Sequence, residues 1–340
     1  MTVASQHMKR LYDRLQTVGY TKKYINSLLP DWWDDGIAAT PAGVQQASLI
    51  LGQRFGVRAE TLWTDDVEPV LRLPQGIRFK HRHKIDTNDL SIACAVAHSL
   101  AKIVLKAFPA KPLPDFYTDA GELRKQLLIG KKWITFKDVL DYCLTLGIPV
   151  IYLQHLPDKA KKMEGLAFMQ DGRPVIVLTQ KRTYGYMLFD LAHELGHITL
   201  GHVTADHSII DQKIDSEADD EAESAANRFA LELLTGNPGC RIVPNGRNLN
   251  GHQLAQAALL FAEKHQIDPM HIALNYAHTQ EKVQNQKRWP VANLAINLIA
   301  KEAENDQDVL RHALLQALDL SELSEDDHAL LKAHIRGIAD

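Results

Sequence analysis

Three residues, His193, Glu194 and His197, constrain the fold of this chain most, because their spacing has chemical meaning only on a helix. At positions i and i+4 the two imidazoles lie on one helix face, where both can bind a single Zn²⁺ through neutral nitrogens. Glu194 then lies beside the metal, as a base for a water molecule. The segment YGYMLFDLAHELGHITL is long enough for several helical turns, and Gly201 follows it as a C-terminal cap. We therefore predict a zinc-site helix with His193 and His197 as ligands and Glu194 as the catalytic acid/base.

A third protein ligand has to come from another segment, since a catalytic zinc site keeps its fourth position for water. The metzincin pattern is excluded, because positions 200 and 203 are not glycine and histidine. The helical segment DEAESAANRFALELL offers Glu223 as the better candidate. Glu223, Asn227, Ala230 and Leu234 recur at helical spacing and are predicted to form one stripe, whose small residues allow a close approach to the zinc-site helix.

Other polar side chains near the motif leave alternatives open. Asp219 and Asp220, one turn before the glutamate, are reserve ligands, unless they belong to a solvated acidic face. His202, just past the helix end, is predicted to hydrogen-bond near the site or contact solvent rather than to bind metal. Tyr184 and Tyr186 could donate to a developing negative charge, although their amphipathic rings favour a place in the core or at its rim.

The segments around the motif predict three units in a chain of 340 residues, which exceeds what one core usually organises. Residues 1–115 and 241–340 have helical apolar spacing. Residues 116–240 contain the β-branched run IPVIYLQHL, then GLAFMQ and PVIVLTQ on either side of Asp171-Gly172, which is a hairpin signal. We predict an α+β fold, in which a small mixed sheet and the zinc-site helices are flanked by all-α N-terminal and C-terminal regions.

Composition excludes several classes of protein. A formal net charge of -4 gives no overall attraction to nucleic acid or anionic lipid. Three widely spaced cysteines fit neither a disulfide framework nor a CxxC metal site. The N-terminus lacks the apolar core of a secretory signal, and no apolar run is expected to approach the ~18 residues that cross a bilayer. We expect a cytoplasmic protein without membrane contact.

The N-terminal unit raises a second hypothesis. Residues 20–64 resemble the later helices of a repressor-type helix-turn-helix domain, with PDWWDDGIAATP in place of a clear recognition helix. The concentrated basic run extends from Arg78 to Lys84, and such runs are usually solvated. Trp32 and Trp33 are predicted to fill a small core rather than to anchor a partner. DNA binding by residues 1–115 remains open.

The segments FDLAHELGHITLGH and ESAANRFALELL resemble the ImmA/IrrE family of metallopeptidases, over about residues 120–280. The resemblance implies a zincin-like domain in which His193, His197 and Glu223 bind zinc and Glu194 is the catalytic acid/base. It also implies an endopeptidase of stress or toxin-antitoxin control, whose protein substrate is a helix-turn-helix repressor or antitoxin. The alternative is a DNA-binding transcriptional regulator in which the zinc domain is a sensor or scaffold. No motif indicates the cleavage site, the activating signal or the oligomeric state.

Overall fold

Helices dominate the computed structural model, which describes residues 2–73, 77–78, 87–111, 117–160, 163–180, 185–204, 208–211, 221–244, 248–301 and 304–335. The α-helices are α1 (Val3–Thr17), α2 (Lys22–Leu28), α3 (Pro41–Arg54), α4 (Glu60–Trp63), α5 (Thr87–Ala107), α6 (Ala120–Leu127), α7 (Phe136–Thr145), α8 (Tyr186–Thr199), α9 (Glu221–Thr235), α10 (Gly251–His265), α11 (Pro269–Gln284), α12 (Trp289–Ile299), α13 (Asp306–Ala317) and α14 (Glu325–His334). Two short 3-10 helices are Asp35–Ala39 and Leu320–Glu322. The strands are β1 (Ile77–Arg78), β2 (Val150–Tyr152), β3 (Gly165–Gln170), β4 (Arg173–Leu178) and β5 (Ser208–Asp211).

The sheet is small and mixed, with the strand order β1-β5-β3-β4-β2. Strands β3 and β4 form an antiparallel hairpin, β5 pairs antiparallel with β3, and β2 runs parallel to β4. Asp171 and Gly172 close the hairpin with φ angles of 51° and 74°, as the predicted two-residue turn requires. The predicted α+β class, with a small sheet and helical flanks, is confirmed.

Strand β4 shows how the sheet positions the helix that carries the motif. Successive side chains of a strand point to opposite faces, and both faces of β4 are buried. Val175 and Val177 belong to a core that also contains α5 side chains, whereas Ile176 and Leu178 pack with α7 and α8. Helix α8 packs on one of these buried faces, so β4 is shielded from water on both sides. This explains why the segment of β4 is an unbroken apolar run in the sequence instead of an alternation of apolar and polar residues.

The core on the α5 face draws residues from all three predicted units. It joins side chains of α1, α3 and α5 to strands β3 and β4, and to Leu314 and Leu330 of α13 and α14. Polar contacts hold α14 there as well, since the carboxylate of Asp327 pairs with Lys106 Nζ at 2.7 Å. The division at 115 and 240 stays a prediction.

Helix α5 corrects one expectation from the sequence. Its segment Leu90–Ala107, 18 residues, is by length and composition long and apolar enough to cross a membrane. Among the described residues it alone passes this test, whereas the sequence was expected to contain no apolar run approaching that length. Of this segment, 67% is buried within the fold, which is the pattern of a core helix.

The N-terminal unit is helical, as predicted, and its two adjacent tryptophans differ. Trp33 packs against the core and donates to the Tyr12 hydroxyl at 2.9 Å, in line with the core interpretation. Trp32 is 55% exposed, so the same interpretation is wrong for it. Its indole donates to Asp326 on α14 at 2.9 Å. Most of the basic run from 78 to 84 lies outside the described residues, and DNA binding stays a prediction.

Candidate metal centre

The helix α8 ends in a turn that the sequence encodes locally. Leu200 donates its backbone N–H to the carbonyl of Gly196 at 3.0 Å, and Gly201 adopts a left-handed φ of 71°. The chain then folds back, so that the backbone N–H of His202 donates to the carbonyl of His197 at 2.9 Å. This is the glycine-capped helix end expected from the sequence. The turn places the His202 ring beside the last turn of the helix.

Three side chains from two helices meet beside this turn. The Nε2 atoms of His193 and His197 are 3.0 Å apart. Oxygens of Glu223 lie 3.3 Å from Nε2 of His193 and 3.5 Å from Nε2 of His197. Of the described residues, these three form the one His/Cys/Asp/Glu group whose donor atoms could hold a metal ion. The ligand set predicted from sequence is therefore brought together in space.

The donor spacing fits a tetrahedral ion. Ligand atoms at about 2.0–2.1 Å from Zn²⁺ in tetrahedral geometry lie about 3.3 Å from one another. The two nitrogens are 3.0 Å apart, and each has an oxygen of Glu223 at a similar distance, Oε2 at 3.3 Å from His193 and Oε1 at 3.5 Å from His197, all close to that value. Two imidazoles and one carboxylate are also a donor set that leaves a fourth position for water. The residues present can thus hold a metal of this class.

Helix α9 brings Glu223 to the site by packing closely on α8. A Cβ built at Gly196 would lie 3.1 Å from the Phe229 ring and 3.4 Å from the backbone of Ala226. Gly196 therefore provides room for a neighbouring helix. Asn227, predicted to share the stripe of Glu223, is exposed, so that assignment is wrong at this position. Ala226 takes its place, because α9 turns its i+3 rather than its i+4 residue toward α8.

The side chain of Glu194, on α8, lies against Gly165, the first residue of β3. Glu194 and His197 are 0% exposed, while His193 and Glu223 are 2% and 4% exposed. A Cβ built at Gly165 would overlap the Glu194 carboxylate, with the carboxyl carbon at 2.6 Å. Glycine at this strand position is therefore required by the acid/base candidate. Sequence analysis missed Gly165, because no local pattern links the two residues.

The other candidates fall outside the cluster or outside the described residues. Asp219, Asp220 and Tyr184 belong to the latter group. The Tyr186 hydroxyl contacts Asn293 Oδ1 at 3.1 Å, and its ring stacks on Trp289 of α12. Tyr186 thus packs against the helices at the C-terminal side, in agreement with the core-or-rim interpretation.

A further buried histidine, His271, lies behind the site and was not predicted. The His271 ring stacks on Phe189 with centroids 6.0 Å apart, and Phe189 in turn stacks on His193. Within the described part of the chain, neither ring nitrogen of His271 has a hydrogen-bond partner. Burial, with the nearby charge of Arg124, lowers the pKa of His271 to about 4, so this ring is neutral at ordinary pH.

Arg124, which the sequence analysis also did not identify, holds the C-terminal end of α9, the helix that carries Glu223. Its guanidinium is buried and donates to four backbone carbonyls, those of Leu233, Leu234, His265 and Gln266. These carbonyls end α9 and α10, where the helix supplies no partners of its own. Burial lowers the pKa of Arg124 from its ordinary value. The two helix ends are thereby joined through one side chain.

Comparison with known families agrees with this geometry. Residues 143–248 match the family model Peptidase_M78, described as the IrrE N-terminal-like domain. The match contains the β3–β4 hairpin, α8 and α9, and thus every residue of the cluster. Among curated proteins and solved structures, none matches the chain.

Proposed function

We propose that this protein, which carries an IrrE N-terminal-like domain of the Peptidase_M78 family at residues 143–248, is a zinc-dependent endopeptidase. One observation carries the proposal: the buried nitrogens of His193 and His197 and the carboxylate of Glu223 lie 3.0 to 3.5 Å from one another. Two imidazoles and one carboxylate that lie this close together are a typical ligand set of a catalytic zinc site.

Each residue of the motif has one role in this proposal. His193, His197 and Glu223 would hold the metal. Zinc bound there would supply the Lewis acidity that makes water a nucleophile at neutral pH. The Glu194 carboxylate takes a proton from the attacking water and passes it to the leaving amine. Because its side chain is enclosed by α8 and the backbone at Gly165, this carboxylate is held in place rather than free to rotate.

The substrate belongs to the proposal as well. The resemblance to the ImmA/IrrE family supports cleavage of a regulatory protein, such as a helix-turn-helix repressor or an antitoxin, and a cytoplasmic site of action where such regulators work. A macromolecular substrate also agrees with the family match to a peptidase domain.

Metal content is the first test. Elemental mass spectrometry of purified wild type should give about one zinc per chain, with much less in His193→Ala and Glu223→Ala. His252→Ala, an exposed histidine on α10, is the matched control and should retain the wild-type content. A wild type that neither contains zinc nor takes it up would refute the proposal and favour a scaffold.

Cleavage is the second test, with Glu194→Gln as the comparison. Glutamine keeps the size of the side chain but cannot accept the proton, so the variant should bind zinc normally and lose turnover by at least ~10²-fold. New protein N-termini in an extract treated with wild type, and absent after treatment with Glu194→Gln, would identify the substrate. Equal cleavage by both proteins would exclude Glu194 as the acid/base.

A further inference from the structure

We infer that His202 is a positioning residue, which fixes the ring orientation and the tautomer of His197 for metal binding. This inference rests on the proposed function, because it gives His202 a task only if His197 is a ligand. His202 itself lies on the opposite side of the His197 ring from His193, so it does not complete the donor set.

The two nitrogens of the His197 ring face different partners. Nε2 faces the metal cluster, 3.0 Å from Nε2 of His193, whereas Nδ1 lies 3.1 Å from Nδ1 of His202. A metal ligand needs a free electron pair on Nε2, which places the hydrogen of a neutral His197 ring on Nδ1. His197 therefore donates and His202 accepts, and the hydrogen of a neutral His202 ring is on its Nε2.

Burial makes this acceptor important. His197 is 0% exposed, so bulk water cannot accept a hydrogen bond from its Nδ1–H as it would at a surface. An unsatisfied donor there would cost free energy and would favour the wrong tautomer, in which Nε2 carries the hydrogen. His202 is half-buried, and it connects the enclosed ring to the protein surface.

The backbone holds His202 in this position independently of its ring. Gly201, at φ 71°, reverses the chain after α8, and the His202 backbone N–H donates to the His197 carbonyl. The ring contact thus occurs between two residues that are already tied at the backbone. The rings meet edge to face, with centroids 5.3 Å apart. Replacement of the ring alone should leave the turn intact.

Zinc affinity of the full-length protein, measured by competition with a chromophoric chelator, tests the inference without any substrate. His202→Ala removes the acceptor and should weaken zinc binding at least tenfold, the usual effect of losing such a partner. His202→Asn places an amide oxygen near the position of Nδ1 and should restore affinity to within about threefold of wild type. The control, His252→Ala, should bind as wild type does. Urea unfolding of the zinc-free proteins should show all of these variants folded, with similar midpoints.

Each outcome has one meaning. Full affinity in His202→Ala overturns the inference while the proposed function stands. An Asn variant as weak as the Ala variant also overturns it, since ring packing rather than the accepted hydrogen bond would then be responsible. A wild type that binds no zinc overturns the proposed function and this inference together.

Discussion

Arg124 provides a test of how the fold supports the site, through the variant Arg124→Met. Methionine fills much of the same volume, so the change removes the charge and the donors while keeping most of the packing. The buried guanidinium donates at 2.7 to 3.3 Å to four carbonyls that end α9 and α10. Without it, these carbonyls lose the positive charge that their helix ends favour.

The expected loss follows from the number and kind of these bonds. Hydrogen bonds to a charged group contribute about 1.5–3 kcal/mol each, but they are not additive, and burial of the guanidinium offsets part of the gain. A buried carbonyl left without its donor costs about 1–3 kcal/mol, and because some of the four can find other donors we expect a total of about 3–5 kcal/mol for Arg124→Met. Arg124→Lys keeps the charge without the planar fork, and should cost about 1–3 kcal/mol.

Equilibrium unfolding in urea measures the change, and hydrogen exchange locates it. Amides at the ends of α9 and α10 should exchange faster in Arg124→Met, and zinc affinity should fall because α9 carries Glu223. Arg228→Met on the exposed face of α9 is the control, expected within about 0.5 kcal/mol of wild type. A loss under about 1 kcal/mol in Arg124→Met would show that solvent or helix fraying satisfies these carbonyls, and would refute the stabilising role of Arg124.

Three further outcomes can be measured on the same protein. Gly165→Ala should lower the free energy of unfolding by about 1–3 kcal/mol, because the added methyl group overlaps the Glu194 side chain. The same change should be nearly neutral in a Glu194→Ala background, and equal costs in both backgrounds would contradict this contact. Because His271 stays neutral when folded, the stability that depends on its neutral ring is complete above the unfolded-chain pKa of about 6.5 and is lost as the pH falls toward 4. Wild type should therefore lose stability between about pH 7.5 and pH 5.5, and His271→Phe should reduce that loss by about 1 kcal/mol. Urea unfolding at both pH values measures the loss, and an equal loss in wild type and variant would refute the prediction. Chelation of zinc should lower the melting temperature, with recovery that depends on added zinc concentration, whereas a melting temperature independent of zinc would argue against a metal bound to the folded state.

Several parts of the structure could be predicted because their causes are local in the chain. The i, i+4 spacing of His193 and His197 requires a helix, Gly201 ends it with a left-handed residue, and Asp171-Gly172 closes the hairpin before it. Each of these depends on neighbours within about one helical turn or one turn of chain. The choice of Glu223 followed from the resemblance and from helical spacing, and the structure places it beside both imidazoles.

Other parts of the site depend on contacts between segments far apart in sequence. Periodicity predicted that Asn227 would share the face of Glu223, but the packing of α9 on Gly196 selects Ala226, because two helices approach most closely where neither side chain extends beyond Cβ. The membrane-like composition of α5 is likewise explained only by the sheet and helices that cover it.

The amino-acid sequence by itself determined which helix carries the chemistry, how that helix ends and which side chains are its candidate ligands, since these follow from short-range geometry. Only the tertiary structure decided that Gly165 makes room for Glu194 and that Arg124 joins the ends of α9 and α10. These contacts join segments that are between 29 and 142 residues apart in the sequence. Close packing in three dimensions, which no local pattern of residues encodes, is the physical reason for the difference.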